Sequence, residues 1–362
     1  MVSYHTIRNI LFSLDPEKAH KLIQWVLSAS QMAPLFLKQL HNKYNITDHR
    51  LAQSLLGTTF PKPVGLAAGF DKNAVVAQAM EALGFGFIEV GTVTPKPQVG
   101  NPKPRIFRFV EEESLQNAMG FNNAGMEDIA NHLKRLYPRP IPIGVNLGKN
   151  KTTPQKKALI DYAHLIATLG AVCDYLVVNI SSPNIPELRE LQNENFIRDL
   201  FKMVRTSTEK PVLLKIAPDL DISNALRLCM IACNEGASGI VATNTTTEYT
   251  LLRDAKRFGG ISGRALREKS FSIFSNIAKE LYGQTVLISV GGIDSGTEAY
   301  RRIRAGASLV QIYTALVYKG PALVRKINEE LLILLEQDGF NNVSEAVGAD
   351  WNGTRCRSVE LR

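Results

Sequence analysis

Residues 175–184 read YLVVNISSPN: four apolar positions up to Asn179, then an isoleucine, two serines and a proline before a second asparagine. A continuous apolar, β-branched run that ends in small polar residues is the mark of a strand buried on both faces, as in a parallel sheet. The same grammar recurs from residue 64 onward. Eight such runs follow one another: VGLAA from 64, FIEVGTV from 87, IPIGVNLG from 141, YLVVNISS from 175, VLLKIAP from 212, GIVATNT from 239, VLISVGG from 286 and LVQIYT from 309. Segments of helical period separate them. Eight parallel strands alternating with helices fit a closed (β/α)8 barrel, an α/β fold, with an open doubly wound sheet as the competing architecture.

Such barrels keep their chemistry at the carboxyl ends of the strands. Read in order, those ends carry Lys72, Thr92, Asn146, Asn179 with Ser182 and Asn184, Lys215, Thr243 with Asn244 and Thr245, Gly291 with Gly292, and Tyr313 with Thr314. Any one of these is an ordinary turn or cap residue; their convergence on one rim is not. Lys215 lies inside an apolar strand, so its charge needs a counterpart. Either it forms a Schiff base with a carbonyl substrate, or it stands as a fixed charge beside an electron-rich ring such as a reduced flavin. Adjacent glycines at 291 and 292, with Gly263, suit backbone contact with a phosphate. Asparagine offers an acceptor and a donor on one side chain, so Asn117, Asn179, Asn184 and Asn244 suit a flat, amide-rich ring, and Lys72 a carboxylate on it.

Two additions interrupt the repeat. The stretch PKPQVGNPKPRIFRFVEEE, residues 95–113, reads as a hairpin over the barrel mouth, placed to act as a lid. Residues 1–50 hold a helix announced by LDPEKAH, in which Asp15 caps, Pro16 takes the first turn and Glu17 faces the positive end of the dipole. An earlier segment with Ile7, Ile10, Leu11 and Leu14 makes a pair of amphipathic helices. These fifty residues carry six Lys or Arg against three acids, a balance of +3. Packing on the barrel and lying on an anionic membrane are both open from pattern alone. The last segment, 339–362, lacks periodicity and reads as a loose tail.

Composition narrows the class. Hydrophobic residues make up 45% and the net charge is +8, compatible with nucleic acid, an anionic membrane or acidic small molecules. The four cysteines form no C-x-x-C pair, Cys229 and Cys233 suit the core, and no histidine stands at a strand end, so metal chemistry is not expected. No apolar run is long enough to span a bilayer.

The motifs LDPEKAH, GLAAGFDKN, EVGTVTPKPQ, NAMGFNNAG, NLGKN, NISSPN, KIAPDL, ATNTT, GGISG, VGGIDS and LVQIYT, spread from about residue 8 to residue 335, resemble the membrane-associated, quinone-using class of dihydroorotate dehydrogenases. The resemblance implies a TIM barrel (residues 51–338) with an N-terminal helical extension (1–50) and a tail (339–362), binding FMN and oxidising dihydroorotate. By position it makes Ser182 the catalytic base. The substrate shell becomes Lys72, Asn117, Ala118, Met119, Gly120, Phe121, Asn179, Asn184, Asn244 and Thr245. FMN would be held by Ala68, Gly69, Phe70, Asp71, Lys72, Thr92, Asn146, Asn179, Lys215, Thr243, Gly263, Gly292, Tyr313 and Thr314. Quinone would meet His20, Arg108 and Tyr313 between the helices. A monomer bound peripherally to the cytoplasmic side of the inner membrane, with no nucleic-acid partner, completes what is implied. Soluble relatives place cysteine where Ser182 stands. Two positions depart from the family pattern: Ile185 replaces a threonine that would relay the proton of Ser182, leaving a water near Ser181 as the expected route, and Ala118 replaces an arginine.

Overall fold

The computed structural model describes residues 4–351. Eight parallel strands close into a barrel: β3 (Val64–Leu66), β4 (Phe87–Val93), β7 (Ile143–Leu147), β8 (Tyr175–Asn179), β9 (Val212–Ile216), β10 (Gly239–Ala242), β12 (Val286–Val290) and β13 (Leu309–Ile312), with β13 pairing back to β3. Every one of the eight runs is a barrel strand. Helices α4 (Ala77–Ala82), α5 (Met126–Arg135), α6 (Ala158–Leu169), α7 (Glu194–Ser207), α8 (Ile222–Asn234), α9 (Arg267–Leu281) and α10 (Gly296–Arg304) return the chain between strands, and α11 (Thr314–Lys319) and α12 (Leu323–Gln337) follow the last strand. Most strand residues are fully buried because helices cover the outside and side chains fill the inside.

A short hairpin, β1 (Gln53–Leu55) with β2 (Thr58–Phe60), carries Phe60 to the amino-terminal end of the barrel. There it meets Phe87 edge-on, ring centroids 5.4 Å apart, and Tyr175 at 6.2 Å. Two glycines leave room for those rings: a Cβ on Gly65 would lie 2.3 Å from the Phe87 ring, and one on Gly144 2.2 Å from that of Tyr175. This apolar floor leaves the opposite end for chemistry.

At the carboxyl end, β5 (Ile106–Phe109) and β6 (Ser114–Asn117) form the expected hairpin. A third strand, β11 (Gly260–Gly263), pairs with β6 and makes a small sheet of the hairpin. Its sequence, GISG, has too little side chain to announce a strand. Here the Gly263 backbone runs so close to β6 that a Cβ would lie 2.5 Å from the Glu113 carbonyl.

Three helices, one more than the expected pair, precede the barrel: α1 (Tyr4–Ser13), α2 (Pro16–Ser30) and α3 (Pro34–Tyr44). Asp15 caps α2 as its sequence predicts, Oδ1 accepting from the Glu17 and Lys18 N–H groups at 3.1 and 3.0 Å. No side-chain cap opens α3, which explains its silence in the sequence. The helices are pinned to the barrel by polar side chains: Tyr4 Oη donates to Val317 O at 2.7 Å, Gln24 Nε2 to Phe70 O at 2.6 Å and Gln31 Nε2 to Val75 O at 2.8 Å.

The segment read as a loose tail is ordered as far as Trp351. A one-turn helix, α13 (Val343–Ala346), buries Val343 and Ala346 completely, and Trp351 Nε1 donates to Ala305 O at 2.9 Å. One turn is too short to leave a period. Residues 352–362 of that expected tail, Cys356 among them, lie outside the described residues. Cys229 is fully buried, as expected of a core thiol, and Cys233 is partly covered.

Candidate active site

The strand ends meet around one buried carboxylate that the sequence reading passed over. Glu89, in the middle of β4, is fully buried. Its Oε1 accepts from Lys215 Nζ at 3.2 Å and Asn146 Nδ2 at 2.7 Å, and its Oε2 from Gln311 Nε2 at 2.6 Å. Lys215 therefore has its counterpart inside the barrel, and its amine is held in place beneath the mouth. Glu89 was legible in principle: it is the only acid in the eight strand runs, as Lys215 is the only base. A buried cation called for it.

Above Glu89 the amides form a chain. Thr92 Oγ1 donates to Asn146 Oδ1 at 2.5 Å, Asn179 Nδ2 donates to the same oxygen at 3.0 Å, and Asn244 Nδ2 reaches Asn179 Oδ1 at 3.3 Å and Ser181 Oγ at 3.0 Å. Strand register sets this up, because Asn179 pairs directly with Lys215 and Asn146 with Gly91. Across the mouth, Asn184 Nδ2 donates to Asn117 Oδ1 at 3.2 Å and the Asn184 N–H to Ser182 Oγ at 3.2 Å. Ser182 is nearly buried, and among the described residues its hydroxyl is bonded by the Asn184 N–H, not by a histidine or carboxylate. The neighbouring Ser181 hydroxyl is committed to the amide chain, and Ile185 is packed in the core, so no hydroxyl stands there behind Ser182.

A cavity of ≈ 580 Å³ opens over this chain and runs outward between α1, α2 and α3. Its inner end is lined by Ser182, Asn184, Asn244, Thr245, Lys72 and Lys215; its outer end by Tyr4, Ile7, Ile23, Val26 and Phe36. Thr92, Asn117, Met119, Gly120, Phe121, Asn179, Thr243, Gly263, Gly292 and Thr314 line it, as do Ala68, Gly69 and Phe70. Asn146, Asp71 and Ala118 do not. Asn146 lies beneath, in the Glu89 network. Asp71 is wholly buried, its carboxylate accepting from the Asn73, Val75 and Val76 N–H groups, so it shapes the loop that carries Lys72. Ala118 lines a second, smaller cavity with Lys103, Lys151 and Pro183.

The three residues assigned to the acceptor stand between the two ends. His20 packs edge-on against Phe70, centroids 5.0 Å apart, and Phe70 against Tyr313 at 5.8 Å. Burial, and then the nearby Lys72 charge, push the His20 imidazole down to about 3, so it is neutral. Arg108 donates to the Phe12 and Leu14 carbonyls at 3.1 and 2.8 Å, satisfying the carboxyl end of α1, while also lining the cavity. Burial, and secondarily Arg105, lower Lys72 to about 8.

The residues fit a flavin. Two buried polar atoms of the cavity wall, His20 Nε2 and Asn184 Oδ1, have no hydrogen-bond partner among the described residues, as groups reserved for a bound molecule should. Lys215 and Asn179 offer a fixed cation and an amide to the edge of a ring. Gly263, Gly292 and Thr314 at the start of α11 line the same cavity, a set of backbone positions suited to a phosphate.

An eight-stranded parallel barrel with its polar residues gathered at the carboxyl rim and an apolar passage leading away from them defines a TIM-barrel enzyme. Residues 50–335 match the sequence family described as dihydroorotate dehydrogenase. The chain is 56% identical, over 96% of its length and 99% of the relative's, to a dihydroorotate dehydrogenase (quinone) of Nitratiruptor sp., and 57% identical, with the same coverage, to that of Sulfurovum sp.. A crystal structure of DHODH from Eimeria tenella in complex with ferulenol superposes with a TM-score of 0.85 at 37% identity, covering 93% of this chain and 96% of the other. The chain belongs to the dihydroorotate dehydrogenase family.

Proposed function

We propose that this protein is a quinone-dependent dihydroorotate dehydrogenase that oxidises dihydroorotate to orotate in pyrimidine biosynthesis. The observation that supports it is the single cavity with two chemistries, amide-rich and cationic at the barrel mouth and apolar between the helices. In this reading Asn117, Asn179, Asn184 and Asn244 hold the substrate ring and Lys72 its carboxylate. Lys215, Asn179 and the glycines at 263 and 292 would hold FMN, which would supply there a hydride acceptor for C6 of the substrate and the means of passing electrons to a quinone.

Ser182 Oγ takes the C5 proton. A serine without a histidine suffices because hydride loss from C6 makes that proton acidic as it leaves, in a site set back from bulk solvent. The Asn184 N–H fixes the hydroxyl by donating to it, and as the C5 proton arrives the serine's own proton passes to a water near Ser181. Neutral His20, with Arg108 and Tyr313, meets the quinone head group, and the apolar helix faces receive its tail. The exposed side of the helices, with Ile10, Trp25, Met32 and Leu35 standing in solvent, suits peripheral attachment of a monomer to the cytoplasmic side of the inner membrane. No helix among the described residues is long and apolar enough to cross it.

The test is anaerobic addition of dihydroorotate to the purified protein, following the flavin band near ~450 nm, with Ser182→Ala alongside. The wild type bleaches rapidly, and the variant bleaches roughly 10² to 10⁴ times more slowly. A yellow wild-type protein that dihydroorotate leaves unbleached refutes the reading.

A further inference from the structure

Glu17 was read from the sequence as a partner of the α2 dipole, but its side chain leaves the helix end and is buried against the barrel mouth. Its two oxygens take a forked pair of bonds from Arg105, Nε to Oε2 at 3.0 Å and Nη2 to Oε1 at 2.9 Å, with both side chains about nine-tenths or more covered. Lys103 Nζ lies 3.5 Å from the same carboxylate. The remaining nitrogen of Arg105 gathers backbone: Nη1 donates to Val99 O at 2.7 Å, to Asn101 O at 2.8 Å and, at 3.5 Å, to Met119 O. Asn101 continues the line, its Nδ2 donating to Ala118 O at 3.1 Å and Asn184 O at 3.0 Å.

That line joins two places. At one end is α2, whose next turn carries Ala19, His20 and Ile23 into the outer cavity. At the other end are the carbonyls of Ala118, Met119 and Asn184, in the two loops that bring Asn117, Met119, Gly120 and Asn184 to the wall of the inner cavity. A bidentate guanidinium–carboxylate pair is stiff and directional, and one kept from water stays closed. We propose that Glu17 and Arg105 are positioning residues: a strut by which the helix that walls the acceptor end sets the stance of the loop that holds the substrate. The inference rests on the proposed function, in which Asn117 and Asn184 hold the dihydroorotate ring.

The strut also carries charge toward the substrate. Lys72 is faced by Arg105 and Glu17 from the strut, by Asp71 beside it and by neutral His20 from α2. Arg105 opposes the ammonium form of Lys72, while Glu17 and Asp71 favour it. Removing the charge of Glu17 therefore makes Lys72 lose its proton at lower pH, and with it the cation that meets the substrate carboxylate.

The experiment uses the holoenzyme with Glu17→Gln and, separately, Asn101→Ala, measuring flavin reduction by dihydroorotate across pH together with thermal melting. Glu17→Gln should raise KM for dihydroorotate about tenfold with little change in the limiting rate, the pattern of lost uniform binding. Its KM should also begin its alkaline rise at lower pH than in the wild type, a change that loosened packing alone does not produce. Asn101→Ala leaves the ion pair intact, so it should raise KM without moving the alkaline limb, and it serves if Glu17→Gln does not fold. Unchanged KM for dihydroorotate in Asn101→Ala, or in a well-folded Glu17→Gln, overturns the strut. Failure of the wild type itself to reduce its flavin would instead be the failure of the proposed function.

Discussion

The barrel and the three helices in front of it are built on opposite rules. Seven of the eight barrel strands are completely or almost completely buried along their length, whereas α1 and α3 bury no residue at all and α2 only Glu17, Ala19 and Ser30. Polar side chains in the barrel are hydrogen-bonded to one another around Glu89. In the helices the apolar side chains line the passage on one side and face outward on the other. A domain with a closed core stands by itself; a sheet of helices with no core of its own is a surface made to be covered. Here the chemistry is placed in the first, and access to it in the second.

The comparison is broken most severely at Glu89. Glu89→Ala leaves Lys215 charged and unpaired inside the barrel, and the loss of one partner of a buried pair costs about 3–5 kcal/mol. Urea unfolding should show a loss of that size. A loss below about 1 kcal/mol would mean that the network is not needed to hold the barrel together.

His20 tests the boundary between the two regions. Its folded value of about 3 lies below the ordinary 6.5, so the unfolded chain takes up a proton that the folded one refuses. The stability due to the neutral imidazole is complete above about pH 6.5 and falls away as pH drops toward 3. Between pH 7 and pH 5 this group alone should cost about 2 kcal/mol, and His20→Asn should remove that part of the slope. Equal urea midpoints shifts for both proteins over that range would show that His20 is open to water.

The smallest effect is expected on the outer face of the helices. Trp25 is 68% exposed, so Trp25→Ala should change stability by no more than about 0.5 kcal/mol. On anionic lipid vesicles the same change should weaken co-sedimentation about tenfold, the share of an aromatic ring's transfer from water. Unaltered binding would exclude this face as the lipid contact.

The two regions also differ in how legible they are. Each barrel strand was readable because a strand covered on both faces must be apolar throughout, and the rim residues because a polar side chain at the end of such a run has few other uses. Glu89 and Gln311 escaped because they sit within runs whose apolar neighbours dominate the pattern, although the charge on Lys215 called for the first of them. The fork between Glu17 and Arg105 spans 88 positions and joins a helix to a loop, so no local period records it. Likewise β11 and α13 are too short for periodicity, and tertiary pairing alone makes them regular. Long elements announce themselves; contacts between distant elements do not.

The apolar floor made by Phe60, Phe87 and Tyr175 turns the barrel into a cup with a sealed base. Its inheritance is thereby divided by height. Substitutions near the base alter how long the vessel survives heat or proteases, while those at the rim alter what it accepts and releases. A lineage can therefore harden its base for a hotter habitat without retuning its chemistry, or retune the rim without first rebuilding the vessel.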